Sequence, residues 1–157
     1  MQKNPVAALE VPAGDRREQY VSQIEFASLL EHVTDENLRE LMVATYTTGC
    51  RPQESLRLQT RHVDLKNKRW LFPQSEEKNK RQPRIVYLSD EAFEITQRRT
   101  NPRNLNSYVF TNTGGRAWIT DAVNCALERL RSRMGKAETE KQGISIDSRE
   151  IESLMKK

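Results

Sequence analysis

Residues 47–58 read TTGCRPQESLRL, and the fold is built around the helix junction that this stretch contains. The helix-like run before it stops at Gly49, a residue that suits the left-handed position closing a helix. A second helix is predicted to begin at Pro52, because proline is favoured in a first helical turn and Glu54 would lie near the positive helix end. Arg51 therefore lies at the corner between two helices. Glu54 follows three residues later, so it can pair with Arg51 and hold its guanidinium.

A corner arginine of this kind has two interpretations. If two packed helices hold Arg51 rigidly, its guanidinium presents the paired donors that bidentate phosphate binding needs. The alternative is an ordinary helix-turn-helix corner with a surface arginine. The Gly-x-Arg-x-x-Glu pattern is short and does not by itself choose between them.

The chain has 157 residues, which suits one domain with its own core. Lysine and arginine number 26 against 22 acidic residues, for a net charge of +4, so a polyanionic partner is plausible. The two cysteines show no paired or metal-ligand spacing, and Cys125 is predicted to lie in the core. Because no signal peptide or membrane span is visible, an intracellular, cytoplasmic location is expected.

Apolar periodicity places helices at both ends of the domain. Ser22 opens a capping box for a first helix, and Asp35 is predicted to cap a second helix that runs to Gly49. Later in the chain, Thr120 is predicted to cap a helix that stops at Gly135.

Between the helices, the periodicity changes to that of strands. Residues 62–65, 69–72 and 84–88 are predicted to form an antiparallel sheet with a turn after the first strand. The connection at residues 75–83 is basic, with three cations against two glutamates. The cations of this connection are Lys78, Lys80 and Arg81, and Arg84 begins the third strand. These residues are consistent with a solvated loop and equally with a surface that binds a polyanion.

Residues 44–88 resemble the catalytic domain of the tyrosine recombinases, also called the phage integrase family. The likeness rests on Gly-Cys-Arg-Pro-Gln-Glu-Ser-Leu at the corner, on the Val-Asp-Leu strand, and on the basic loop leading into Arg-Ile-Val-Tyr-Leu-Ser. It extends more weakly over residues 20–134. The resemblance implies an α+β fold that is mostly helical with a small three-stranded antiparallel sheet, C-terminally incomplete. Residues 1–19 are then a linker or arm, and residues 20–157 a partial catalytic domain.

The resemblance implies phosphoryl transfer on double-stranded DNA without a metal or cofactor. In this family a tyrosine hydroxyl attacks a phosphodiester and forms a 3′-phosphotyrosyl link, which a second strand's hydroxyl then reverses. Arginines stabilise the charge at the pentacoordinate phosphorus, and a lysine protonates the leaving 5′-oxygen. By this resemblance Arg51 is the first catalytic arginine and Glu54 its support. Lys78 is the general acid, with Lys80 as the alternative.

Two further assignments follow from the resemblance. With Arg51 upstream, the basic loop is interpreted as facing the DNA backbone through Lys80, Arg81 and Arg84. The family's His-x-x-Arg motif is absent. The closest register puts Arg149 in the arginine position, and a surface arginine near a helix start is the alternative.

None of the four tyrosines fits the nucleophile. Tyr20 is assigned to the linker, Tyr46 to the second helix, Tyr87 to a strand and Tyr108 to the segment before a Gly-Gly turn, and each is predicted to be a packing residue. His32 and His62 have no visible partner in the sequence, while the two tryptophans, Trp70 and Trp118, are predicted to be core anchors.

These assignments favour part of a site-specific recombinase that binds DNA, associates with the nucleoid, and cannot complete the reaction alone. We expect a monomer in isolation and a tetramer on DNA for the whole protein, with no membrane partner. The alternative is a degenerate, non-catalytic homologue that binds DNA as a structural or regulatory module. A basic α+β domain that binds a protein is a third possibility.

Overall fold

The computed structural model describes residues 20–76 and 82–141, with side chains through Lys136. Its elements, in chain order, are α1 (Gln23–Glu31), α2 (Glu36–Thr48), α3 (Pro52–Leu56), β1 (Val63–Asp64), β2 (Arg69–Phe72), β3 (Arg84–Tyr87), α4 (Asp90–Arg99) and α5 (Thr120–Lys141). Two short 3₁₀ turns, Thr60–His62 and Gln74–Glu76, precede β1 and follow β2. The α+β class and the three-stranded antiparallel sheet are confirmed. None of the helices within these ranges is long and apolar enough to cross a membrane.

The starts of α1 and α2 are held by the side chains that the sequence predicts, whereas Thr120, predicted to be a cap, is the first helical residue of α5. The Ser22 hydroxyl accepts the backbone N–H of Glu25 at 3.3 Å, and the Glu25 carboxylate accepts the backbone N–H of Ser22 at 2.8 Å. Asp35 caps α2 by accepting the backbone N–H of Asn37 at 2.9 Å. These bonds satisfy donors that a helix start otherwise leaves without partners.

The corner between α2 and α3 has the predicted backbone. Gly49 adopts φ 61° and ψ 21°, the left-handed conformation, and its N–H bonds to the carbonyl of Tyr46. Pro52 is the first residue of α3, and Arg51 occupies the capping position before it. The turn is sharp because glycine adopts a positive φ without a steric penalty.

The sheet has the order β1-β2-β3, with antiparallel neighbours throughout. Trp70 pairs with Val86 across the β2–β3 ladder, and both side chains are buried. The Trp70 indole N–H donates to the Thr96 hydroxyl of α4 at 3.2 Å, which joins the sheet to that helix. Trp70 and Trp118 are both buried, so the prediction that they anchor the core is confirmed.

Two local predictions about α5 are wrong. The helix continues through Gly135 to Lys141, since an interior glycine costs only about 1 kcal/mol and the good helix formers Lys136 and Ala137 follow. Cys125 is exposed instead of lying in the core. It shares its helix face with charged residues one turn further on, whereas Leu130 lies on the buried face.

Candidate functional site

Glu54 is buried near the start of α3, where it accepts two hydrogen bonds and makes one longer ion contact. One carboxylate oxygen, Oε2, accepts the backbone N–H of Arg51 at 3.0 Å. The other, Oε1, accepts Nε–H of Arg84 at 3.1 Å and lies 3.7 Å from Nη1 of Arg51. Two guanidiniums, one from the helix corner and one from β3, therefore share a single carboxylate oxygen.

Local structure explains why these three residues meet. Arg51 precedes the first residue of α3, so Glu54 occupies the third helical position, from which a side chain reaches back to the helix start. Side chains alternate between the two faces of a strand, and Arg84 shares its face of β3 with the buried Val86. That face packs towards the helices, which brings Arg84 to Glu54.

The two arginines reach solvent while their partner does not. The side chain of Arg51 is 73% exposed and that of Arg84 is 40% exposed, against 3% for Glu54. The buried carboxylate holds the Arg84 guanidinium by a hydrogen bond and lies 3.7 Å from that of Arg51, so two positive charges face one negative charge. The arrangement leaves a fixed excess of positive charge at the surface, which suits an anionic ligand with paired oxygens.

The corner that carries Arg51 is braced on both sides. Gln53 donates from its side-chain amide to the Thr120 hydroxyl at 2.8 Å, which ties α3 to the first residue of α5. On the other side, the Thr45 hydroxyl of α2 bonds to the Ser55 hydroxyl at 2.9 Å. Arg51 is therefore held by packed helices on either side of the corner.

A second polar cluster lies at the end of β2, where the basic connection begins. The Glu76 carboxylate lies 3.1 Å from Nε2 of His62 and 3.2 Å from Nη2 of Arg61. Its backbone carbonyl accepts a hydrogen bond from Nη1 of Arg57 at 2.8 Å. These contacts join the Gln74–Glu76 turn to the segment before β1. These contacts therefore hold in place the residue from which the connection to β3 begins, Glu76.

His62 is buried and neutral in this cluster. Burial lowers the pKa of His62 below its usual 6.5, an effect that its hydrogen bond to Glu76 opposes. The His62 Nδ1 atom accepts the backbone N–H of Gln59 at 3.1 Å, so the ring proton lies on Nε2 and is donated to Glu76. No feature of the sequence indicated the pairing of His62 with Glu76, because the two residues are 14 positions apart.

The comparison with protein families shows the family to which the chain belongs. The sequence pattern of the phage integrase family matches residues 17–144, a stretch that contains Arg51, Glu54 and Arg84. The chain belongs to the phage integrase family. The resemblance inferred from residues 44–88 is thereby confirmed.

A solved structure shows the same fold. The crystal structure of XerA recombinase superposes with a TM-score of 0.55 at 21% sequence identity. The match covers 88% of this chain and 48% of the recombinase, so the integrase-family chain spans about half the length of that protein. At this identity the likeness concerns the fold alone. Comparison with curated proteins found no match.

The structure unites part of the predicted integrase site. Arg51, Glu54 and Arg84 lie together around one carboxylate, as described above. The other site residues assigned from the sequence lie outside the described residues and stay predictions; they are Lys78, Lys80, Arg81 and Arg149. The linker assigned to residues 1–19 also lies outside.

The packing role predicted for the tyrosines holds for one of them. The Tyr46 ring stacks on Phe26, with the ring centroids 3.9 Å apart. Tyr20, Tyr87 and Tyr108 are exposed, so the packing prediction is wrong for these three. Tyr87 lies on the outer face of β3, where the alternation of the strand turns its side chain away from the core.

Proposed function

We propose that this chain is part of a site-specific recombinase that cuts and rejoins double-stranded DNA, and that it binds a DNA phosphate at Arg51. The observation that carries the proposal is an exposed guanidinium at a rigid corner, with the buried carboxylate of Glu54 behind it. Membership of the phage integrase family supports DNA as the substrate.

The proposed chemistry places Arg51 on a non-bridging oxygen of the phosphate. Negative charge accumulates on these oxygens as phosphorus becomes pentacoordinate, and a fixed donor stabilises that charge without reorganising. Loss of one such donor typically lowers the rate by roughly two to three orders of magnitude. In this proposal Lys78 or Lys80 protonates the leaving 5′-oxygen, while Arg81 and Arg84 contact the DNA backbone.

The proposal assigns the nucleophile to none of the four tyrosines of this chain. Tyr46 is packed on Phe26, and Tyr87 lies on the face of β3 opposite to that of Arg84. The backbone of Tyr108 bridges to that of Gln59. We therefore expect no covalent protein–DNA adduct when the chain is incubated with a nicked duplex. An adduct would contradict this part of the proposal.

A titration with labelled duplex DNA at several salt concentrations tests the phosphate site. Replacing Arg51 with Gln should weaken binding to every duplex sequence and lower the salt slope by about 1, because one phosphate contact is lost. Arg103→Gln, at an exposed arginine in the loop after α4, is the matched control and should leave the slope unchanged. Equal effects of the two variants would contradict the proposal.

The basic connection is tested in the same titration. Reversing the charges of Lys78, Lys80, Arg81 and Arg84 should weaken binding and flatten the salt dependence further, because these cations would otherwise displace counterions from the backbone. An unchanged slope would count against a DNA-facing connection. Absence of DNA binding even at low salt would count against DNA as the ligand and favour a protein partner.

A further inference from the structure

We propose that Arg84 binds the same DNA phosphate as Arg51, and that Glu54 pairs the two guanidiniums so that they act as one clamp. The inference rests on the proposed function, since it takes a DNA phosphate as the ligand. It adds a second arginine from β3 to the arginine at the helix corner.

The geometry brings the two guanidiniums to one point. Nε of Arg84 lies 3.1 Å and Nη1 of Arg51 lies 3.7 Å from the same oxygen, Oε1 of Glu54. The two nitrogens are therefore no further apart than the sum of these distances. A single phosphate group, with two non-bridging oxygens, is of the right size to be held by both side chains.

The remaining donors are available to such a ligand. Arg84 uses Nε–H for Glu54, and a guanidinium has two further nitrogens in the same plane. Both arginine side chains are partly exposed. An ion pair that served only to stabilise the fold would be stronger if it were shielded from water. The planar fork therefore lets Arg84 hold Glu54 and reach a phosphate oxygen at the same time.

The charges also balance with one phosphate. Two guanidiniums carry two positive charges, and Glu54 neutralises one of them. A phosphodiester carries a single negative charge, so one bound phosphate makes the cluster neutral. Because Glu54 is buried and water screens it poorly, the interaction among these charges is stronger than that of an ordinary surface pair.

Titration of the full chain with inorganic phosphate, followed by the Nε–H signals of its arginines in NMR spectra, tests the clamp. The signals of Arg51 and Arg84 should shift with one common Kd. Arg84→Gln should raise the Kd reported by Arg51 about tenfold, which corresponds to the loss of one charge-assisted hydrogen bond. Arg103→Gln should leave that Kd unchanged. Different Kd values for the two signals, or an Arg51 signal that responds normally in Arg84→Gln, would overturn the inference.

Arg84→Lys separates a shared ligand from a charge effect. Lysine keeps the charge beside Glu54 but lacks the fork, so it cannot hold the carboxylate and the phosphate together. We expect Arg84→Lys to raise the phosphate Kd nearly as much as Arg84→Gln. Wild-type affinity in Arg84→Lys would overturn the inference. If Arg84→Gln does not fold, the Arg84→Lys variant still distinguishes the two outcomes.

A double-mutant cycle with duplex DNA distinguishes this inference from the proposed function. If both arginines hold one phosphate, the losses from Arg51→Gln and Arg84→Gln should not add in the double variant. Additive losses would overturn the shared clamp but leave the DNA-binding function standing. Loss of DNA binding from the wild-type chain itself would instead overturn the proposed function.

Discussion

A buried carboxylate is stable only when its oxygens are paired, and at the residue scale Glu54 shows how this chain meets the requirement. Its two oxygens accept donors from the backbone of Arg51 and from the side chain of Arg84, and the Arg51 guanidinium adds a longer contact. The same carboxylate thus stabilises the corner and orients the side chains that face solvent.

Replacing Glu54 with Gln should lower the free energy of unfolding by roughly 1–2 kcal/mol, because a charge-assisted bond to a partly exposed Arg84 is lost. Urea denaturation followed by circular dichroism measures the change. Glu128→Gln, at an exposed position on α5, is the control and should lie within about 0.5 kcal/mol of the wild type. A loss no larger than that of the control would contradict the role given to Glu54.

His62 makes stability depend on pH near neutrality. Burial lowers the pKa of His62 below 6.5, so the unfolded chain binds a proton at this site more readily than the folded chain does. Its contribution is fully present above pH 6.5 and is lost as the pH falls through the lower folded pKa. Protonation also places a hydrogen on Nδ1, which then opposes the backbone N–H of Gln59. Glu76 favours the protonated ring, while Arg57 and Arg61 oppose it.

Urea denaturation across this pH range measures the effect. Stability of the wild type should decrease on acidification below pH 6.5, and His62→Asn should remove that slope at some cost in overall stability. His32→Asn, which changes the other histidine, should keep the slope. A wild-type slope that survives in His62→Asn would show that another group titrates. Asp64 and Asp90 have pKa values that their hydrogen-bond partners lower from 3.8. Their protonation therefore changes stability only in more acidic solution.

At the scale of elements, the junction of α2 and α3 depends on one left-handed residue. Gly49 has φ 61°, and no heavy atom lies within 4 Å of the place where a Cβ would be. The cost of a side chain at Gly49 is therefore conformational and not steric crowding by neighbours.

Gly49→Ala should lower the free energy of unfolding by about 1–2 kcal/mol, since alanine disfavours the left-handed region. Gly49→Asn should cost less, because asparagine adopts that region more readily. Thermal or urea denaturation of the pair measures the difference. Equal stability of the two variants would argue that the corner relaxes to another backbone conformation.

At the scale of the whole molecule, a buried carboxylate joins parts of the chain that are distant in sequence. Glu40 of α2 is 7% exposed and accepts hydrogen bonds from Arg98 and Arg99 near the end of α4. Arg99 also donates to the Asn37 side chain at 2.6 Å. Since the Thr96 hydroxyl of α4 accepts the indole N–H of Trp70 in the sheet, these contacts link α2 to the sheet through α4.

Glu40→Ala should destabilise the fold by roughly 2–4 kcal/mol, because it leaves the largely buried Arg99 without its carboxylate. Arg98 contributes less, as most of its side chain is exposed. Urea denaturation gives the magnitude, with Glu94→Ala on the exposed face of α4 as the control. If the two variants were equally stable, the contacts of Glu40 would be dispensable.

The helix caps and the strands of this fold could be predicted because they depend on residues that lie close together in the sequence. Ser22 and Asp35 cap helices through bonds to residues two or three positions away, and strand alternation located β2 and β3. The Glu54–Arg51 contact was predicted for the same reason. Gly135 was misassigned as a helix end, because local propensity competes there with the good helix formers that follow.

Sequence alone therefore accounts for the capped helices, the small sheet, the left-handed corner and the pairing of Arg51 with Glu54, since each depends on residues within a few positions or on a simple period. The three-dimensional packing was needed to show that Arg84 shares Glu54 with Arg51, and that Glu76 pairs with His62. Those partners lie 30 and 14 positions apart. Contacts over such separations depend on how the sheet packs against the helices, and no local pattern in the chain encodes that packing.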